Sequence, residues 1–61
     1  MQTLKDITDP KHGSYKVGVP FQHGNGNVYE IHGYNIKHQC HSLLNVGTGK
    51  FEVMNDNEIT K

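Results

Sequence analysis

The sequence predicts an all-β fold, a small antiparallel meander of four to five strands curled into a barrel. Three observations predict it. The chain has no alanine but thirteen Val, Ile and Thr residues, so the best helix former is missing and β-branched residues are plentiful. Apolar residues alternate along two stretches, each broken by a glycine-bearing turn: FQHGNGNVYEI at 21–31 and LLNVGTGKFEVM at 43–54. A chain of 61 residues has no room for crossover helices between this many strands, so neighbours must run antiparallel. A flat two-sided sheet of this size could not bury enough surface, which favours a curled one.

Residues 1–13 have no clean period and read as an arm or a single helical turn. Leu4 and Ile7 are three apart, Thr3-x-x-Asp6 has the form of a capping box, and Asp9-Pro10 stops any helix. The domain proper is expected over 14–61. Tyr15, Val17, Val19 and Phe21 alternate with Lys16, Gly18, Pro20 and Gln22, a half-buried strand in which Pro20 marks an edge or a bulge.

The glycines at 24 and 26 invite two readings. A phosphate-binding loop is disfavoured: the third glycine of a dinucleotide fingerprint would fall at Tyr29, and NVYEI continues as strand rather than helix. As a turn, an Asn25-Gly26 loop would set Phe21 against Glu30. A three-residue loop, Gly24-Asn25-Gly26 with Gly26 left-handed, sets Phe21 against Tyr29 and Val19 against Ile31. The second places apolar beside apolar and is the predicted form. The chain then bends at Gly33. Residues 39–46 read as a strand with Cys40, Leu44 and Val46 on its buried face. A two-residue loop at Thr48-Gly49 would pair Val46 with Phe51 and Leu44 with Val53. NDNEITK closes the chain with a polar turn and a short last strand around Ile59.

This order of bulged hairpin, bent linker, second hairpin and terminal turn resembles a small SH3-like barrel of the Tudor or KOW type. HGNGNVYEIHGYNI is similar to the first long hairpin of such domains, and LLNVGTGKFEVMNDNEI to their closing hairpin; the likeness covers 14–60. It implies binding of protein segments or nucleic acid rather than catalysis. Free-standing domains of this size often act as accessory or inhibitory proteins, including in bacteriophages. The chain lacks a full aromatic cage and any basic cluster, the features with which such domains hold methyl-lysine or nucleic acid.

Composition narrows the function. So short a chain buries only about 60% of the surface its unfolded form exposes. Its core supplies on the order of 3–5 kcal/mol. The single cysteine, Cys40, cannot form an internal disulfide, which argues against a secreted disulfide scaffold and for a cytoplasmic setting. No apolar run approaches the ~18 residues of a membrane span, and MQTLKDITDPKHG has no apolar core of a signal peptide. With Met1 at its start, the chain is expected to be a complete small product. Six lysines balance six acids and there is no arginine, the residue that grips phosphate and guanine in a fork. Nucleic acid is therefore a disfavoured partner. Protonating the five histidines would carry the net charge from zero towards about +5 near pH 5–6.

Chemistry could reside in His32…His38-Gln39-Cys40-His41. Imidazole and thiolate are zinc ligands, and His32, His38 and Cys40 form the metal-binding alternative, with His23 or His12 in reserve. The spacing is poor: His38 and Cys40 share a strand face, His41 takes the other, and neither C-x-x-C nor H-x₃-H occurs. Cys40 with a histidine is the minimal nucleophile pair, but its alternation with Leu44 argues for burial. The acids are scattered, with Glu30 and Glu52 expected to face solvent, so no carboxylate pair suggests acid–base work. No cofactor and no catalytic residue are expected. The chain reads as a protein–protein interaction module, an inhibitor or modulator of a larger machine, with Pro20, His32, Tyr34 and Lys37 as partner-binding residues. A nucleic-acid accessory protein and a zinc-stabilised module are the alternatives. A homodimer is open to all three, since pairing edges would enlarge the core.

Overall fold

In the computed structural model, residues 2–8 and 15–61 are described. The Asp9-Pro10 stop, the start of the first strand at Ser14, and His12 lie outside them. Strand is the main regular structure of the described residues. β1 (Pro20–Gln22), β2 (Val28–Asn35), β3 (Cys40–Asn45) and β4 (Phe51–Asn55) form one antiparallel sheet in the order β1-β2-β3-β4. Helix is confined to a single 3₁₀ turn, Lys5–Ile7, and one α-turn, α1 (Asp56–Ile59).

The meander forms as predicted, but the sheet is not closed into a barrel: β1 and β4 are its two ends. Two local causes keep it open. Gly18 sits at φ +77°, a left-handed turn that interrupts the alternation, so only three residues of the expected first strand join the sheet, Tyr15 bridges to Thr8 instead, and Val17 is exposed. The expected last strand at Ile59 is instead helical. The Asn55 side chain accepts a hydrogen bond from Glu58 N–H at 2.7 Å, an N-cap that starts a helix where a strand would have had to continue.

The first hairpin has the predicted loop. Phe21 pairs with Tyr29, His23 N–H donates to Asn27 O at 2.9 Å, and Gly26 is at φ +93°. The ladder ends at Pro20 and Glu30, and Val19 does not pair with Ile31; Gly18 N–H donates to Ile31 O instead. Gly33 marks a bulge within β2 rather than a linker after it, since the register with β3 shifts between Ile31 and Gly33.

The second hairpin departs from expectation in register and in face. Leu44 pairs with Phe51 and Ser42 with Val53, two residues away from the predicted pairing. The reason is Asn45. Its side-chain oxygen accepts from Gly47 N–H and Thr48 N–H, and Gly49 N–H donates to Asn45 O at 2.7 Å. These bonds fold residues 46–49 into a four-residue loop. The two-residue shift leaves Leu44, Val46, Phe51 and Val53 together on one face, but that face is the outer one. His41, Leu43 and Asn45 are buried, while Cys40 and Leu44 are half-buried and Val46 is exposed. Glu52, expected in solvent, is half-buried on the inner side, where Asn45 Nδ2 donates to it at 3.0 Å. Glu30 is half-buried beside His32.

The inner face can be read from the register as three rows. Phe21, Tyr29 and Asn45 form the first, Ile31 and Leu43 the second, Tyr34, His41 and Met54 the third. The chain's two ends cover it. Ile7 from the 3₁₀ turn and Ile59 from α1 complete a core of Ile7, Phe21, Tyr29, Ile31, Leu43, Met54 and Ile59, with Leu4, Tyr15 and Val19 packed at its margin. His23 ties the first loop to the C-terminus. Its Nε2 donates to Glu58 O at 2.8 Å while its Nδ1 accepts from Asn25 N–H. Gly24 is needed there because a Cβ would lie 1.9 Å from Lys61 O.

Two predictions follow from this packing. Leu43→Ala should cost about 2–5 kcal/mol, enough to unfold most of the protein, whereas Val46→Ala should cost less than about 0.5 kcal/mol. Urea melts of the two variants check which face is buried; equal losses would contradict the register. The Asp6 carboxylate accepts from Thr3 N–H and Oγ1, and the backbone bond foremost holds its pKa below the ordinary 3.8. A depressed carboxylate stabilises the fold above its unfolded pKa, and the contribution disappears as pH falls through the lower folded value. The melting temperature of Asp6→Asn should therefore lie below that of the parent at neutral pH and converge with it below pH 3.8.

Candidate functional site

The inner-face row at the far end of β2 and β3 is not fully roofed by the core. Tyr34 and His41 are cross-strand partners, and α1 begins immediately after β4, so Asp56 is delivered to the same place. The Asp56 backbone N–H donates to Gln39 O at 3.2 Å, which anchors the start of α1 to the β2–β3 turn. The Asp56 carboxylate then takes two bonds: His41 Nε2 lies 2.8 Å from Oδ1, and Tyr34 O–H donates to Oδ2 at 3.2 Å. An ionised carboxylate only accepts, so His41 carries its proton on Nε2.

His41 is 6% exposed and lies between two tyrosines, with ring centroids 4.5 Å from Tyr34 and 5.5 Å from Tyr15. Around it is a half-open pocket of about 540 Å³ lined by Tyr15, Val17, Ile31, Gly33, Tyr34, His41, Asp56 and Thr60. The tyrosine faces are electron-rich and the one formal charge in the lining is that of Asp56, so the pocket suits a cationic or hydrogen-bond-donating group on an apolar stem. Desolvation foremost, and then the hydrogen bond and charge of Asp56, raise the Tyr34 phenol above its ordinary 10.0 and keep it a donor.

The residues expected to bind a partner are dispersed. Pro20 stands exposed at the start of β1, His32 lies on the outer face against the Phe51 ring at 5.9 Å, Tyr34 lines the inner pocket, and Lys37 is exposed in the β2–β3 turn. The metal-binding alternative is not assembled: His32 bonds to Glu30, His38 is in a turn, and Cys40 Sγ donates to His38 O. Among the described residues no three His, Cys, Asp or Glu side chains lie together as metal ligands would. No helix among them is long and apolar enough to cross a membrane.

Sequence reasoning singled out Tyr34 but did not join it to Tyr15, His41 and Asp56. Tyr15 was read as one residue of a long strand, and Asp56 as part of a polar turn. The signal for Asp56 was present in Asn55-x-x-Glu58, an N-cap followed by an acid three residues later. Comparison with known proteins finds no matching family, no similar curated protein and no similar solved structure.

Asp56→Asn should lower the Tyr34 ionisation towards the ordinary value, because it removes the charge and weakens the bond that favour the neutral phenol. For a phenol raised on folding, stability is complete at neutral pH and falls as pH rises through 10.0, where the unfolded tyrosine ionises first. An ultraviolet titration of the parent and of Asp56→Asn, with Tyr34→Phe to assign the transition, checks this. An unchanged Tyr34 transition would remove Asp56 as a cause.

Proposed function

We propose that this chain is a non-catalytic protein–protein interaction module that receives a protruding basic side chain of a partner in the Tyr15–Tyr34–His41–Asp56 pocket. The observation that carries the reading is the juxtaposition of two tyrosine rings and one carboxylate in an open hollow that Val17 and Ile31 also line. A cation over a tyrosine face contributes about 0.5–2 kcal/mol, and the nearby acid adds to it. The pocket is small against a protein interface, so it would serve as an anchor point within a larger contact.

The non-catalytic reading is supported by how the polar groups are used. The His41 Nε2 is engaged by Asp56, and the one aliphatic hydroxyl in the lining, that of Thr60, donates to the Asp56 and Asn57 carbonyls. Cys40, adjacent in sequence, points to the opposite side of β3. The role suggested by the SH3-like likeness, an inhibitor or modulator of a larger machine in the cytoplasm, belongs to this proposal. The sheet would then serve as an SH3-like platform with α1 standing where a fifth strand was expected.

The test is affinity capture from lysate of the source cell, with and without nuclease, using the parent and Tyr34→Ala. The expected result is one protein recovered regardless of nuclease and reduced at least about tenfold by Tyr34→Ala, the loss of roughly 1.4 kcal/mol. Recovery that collapses with nuclease would replace the proposal with a nucleic-acid role. Recovery indifferent to Tyr34→Ala would move the contact elsewhere.

A further inference from the structure

The two ends of the sheet are treated differently. At β1, Pro20 has no N–H to offer a neighbour, and Gln22 N–H already donates to Gln2 O at 2.7 Å beside a parallel bridge from Thr3 to Gln22. At β4, among the described residues, nothing pairs with the outer edge. Asn45 N–H donates to Lys50 O and Asp56 N–H to Gln39 O, so the alternation of an antiparallel ladder turns Lys50, Glu52 and Met54 towards β3. Phe51 and Val53 therefore direct their N–H and C=O groups outward, and Asn55 its N–H, while the Asn55 C=O is taken up by α1 as its N-cap. No proline and no bulge interrupts this edge. Its side chains Phe51 and Val53 are 70% and 65% exposed, with Val46 and half-buried Leu44 behind them on the same face. That set alternates in the sequence as a core face does, yet the fold leaves it in water.

We propose that a second copy of this chain pairs with β4, antiparallel, about a two-fold axis at Val53. Only outward-directed residues can exchange hydrogen bonds across the edge, which restricts the symmetric registers. Centring on Val53 sets Val53 against its own copy and Phe51 against Asn55, so that the Asn55 N–H also finds an acceptor. It also sets Glu52 opposite Met54 and brings Lys50 opposite Asp56 at the start of α1, where Glu58 adds a second acid. Centring on Glu52 instead opposes two carboxylates and leaves Asn55 unpaired, which like-charge repulsion disfavours. Charge thus selects the register centred on Val53. Pairing joins the two outer apolar faces into one continuous patch and leaves the tyrosine pockets on the inner faces. The inference does not rest on what those pockets hold.

Sedimentation of the full chain from micromolar to millimolar concentration tests it. A reversible monomer–dimer equilibrium is expected. Val53→Lys places two ammonium groups at the axis and should raise the dimer dissociation constant at least tenfold, with the circular dichroism spectrum retained because Val53 is exposed; Phe51→Lys is the second variant should Val53→Lys fail to fold. In a Cys40→Ser background, Val53→Cys should be captured as a disulfide-linked dimer under mild oxidation and Glu52→Cys, a diagonal about 7–8 Å from its copy, should not. A monomer mass at every concentration, a dimer indifferent to both lysine variants, or cross-linking through position 52 instead of 53 would each overturn the proposal.

Discussion

A four-stranded sheet must have at least one dry face, and this chain covers that face with its own two ends. The dry face is organised by Ile31 beside Leu43, with Phe21 and Tyr29 next to them and Met54 beyond. Ile7 and Ile59, 52 residues apart in the chain, close over it from the 3₁₀ turn and from α1. Neither short helix would persist alone, since a single turn cannot repay the cost of its own nucleation. Each exists because its isoleucine is buried against strands, and the strands remain paired because their apolar side is covered. His23, bridging the first hairpin loop to the Glu58 carbonyl, fastens the C-terminal cover to the sheet.

The same closure produces the pocket. α1 lies against β3 and β4, and its first residue, Asp56, reaches Tyr34 and His41 as a consequence. The carboxylate satisfies a nearly buried imidazole that would otherwise lack a partner for its N–H, and the phenol is held as a donor by the same group. The hollow beside them exists because the chain's ends cover the middle of the inner face more completely than its margin. Site and fold share one set of contacts, so substitutions at Asp56 or His41 act on stability as well as on recognition, whereas the exposed Tyr34 is the cleaner probe of binding.

The outer face carries the complementary problem. Placing Leu43 inward puts Leu44, Val46, Phe51 and Val53 outward by the two-residue period of a strand, and no part of the described chain covers Phe51 or Val53. A hairpin with apolar residues on both faces needs two covers. The protein supplies one from its own ends. An apolar strand edge on a chain this small is an association surface or an aggregation hazard, and the proposed pairing of two copies would satisfy the backbone groups of that edge while joining the two outer faces into one patch.

The sequence by itself determined what local chemistry controls. The strand-rich composition, the antiparallel order, the Gly24-Asn25-Gly26 loop with its Phe21–Tyr29 pair, and the Thr3–Asp6 turn were legible because each depends on residues a few positions apart. The tertiary structure decided which face of β3 is buried, since Leu43 and Leu44 are equally apolar and only the register with Ile31 and the covers Ile7 and Ile59 distinguish them. Asn45 widening the second loop, Gly18 cutting the first strand short and Asn55 starting a helix are local signals that the strand alternation outweighed in the sequence; the tertiary structure decided that the sheet stays open. The pocket was illegible for the same reason. Tyr15, Tyr34, His41 and Asp56 have no common spacing; they meet only after the bulge at Gly33 sets Tyr34 opposite His41 and α1 folds back onto β3 and β4.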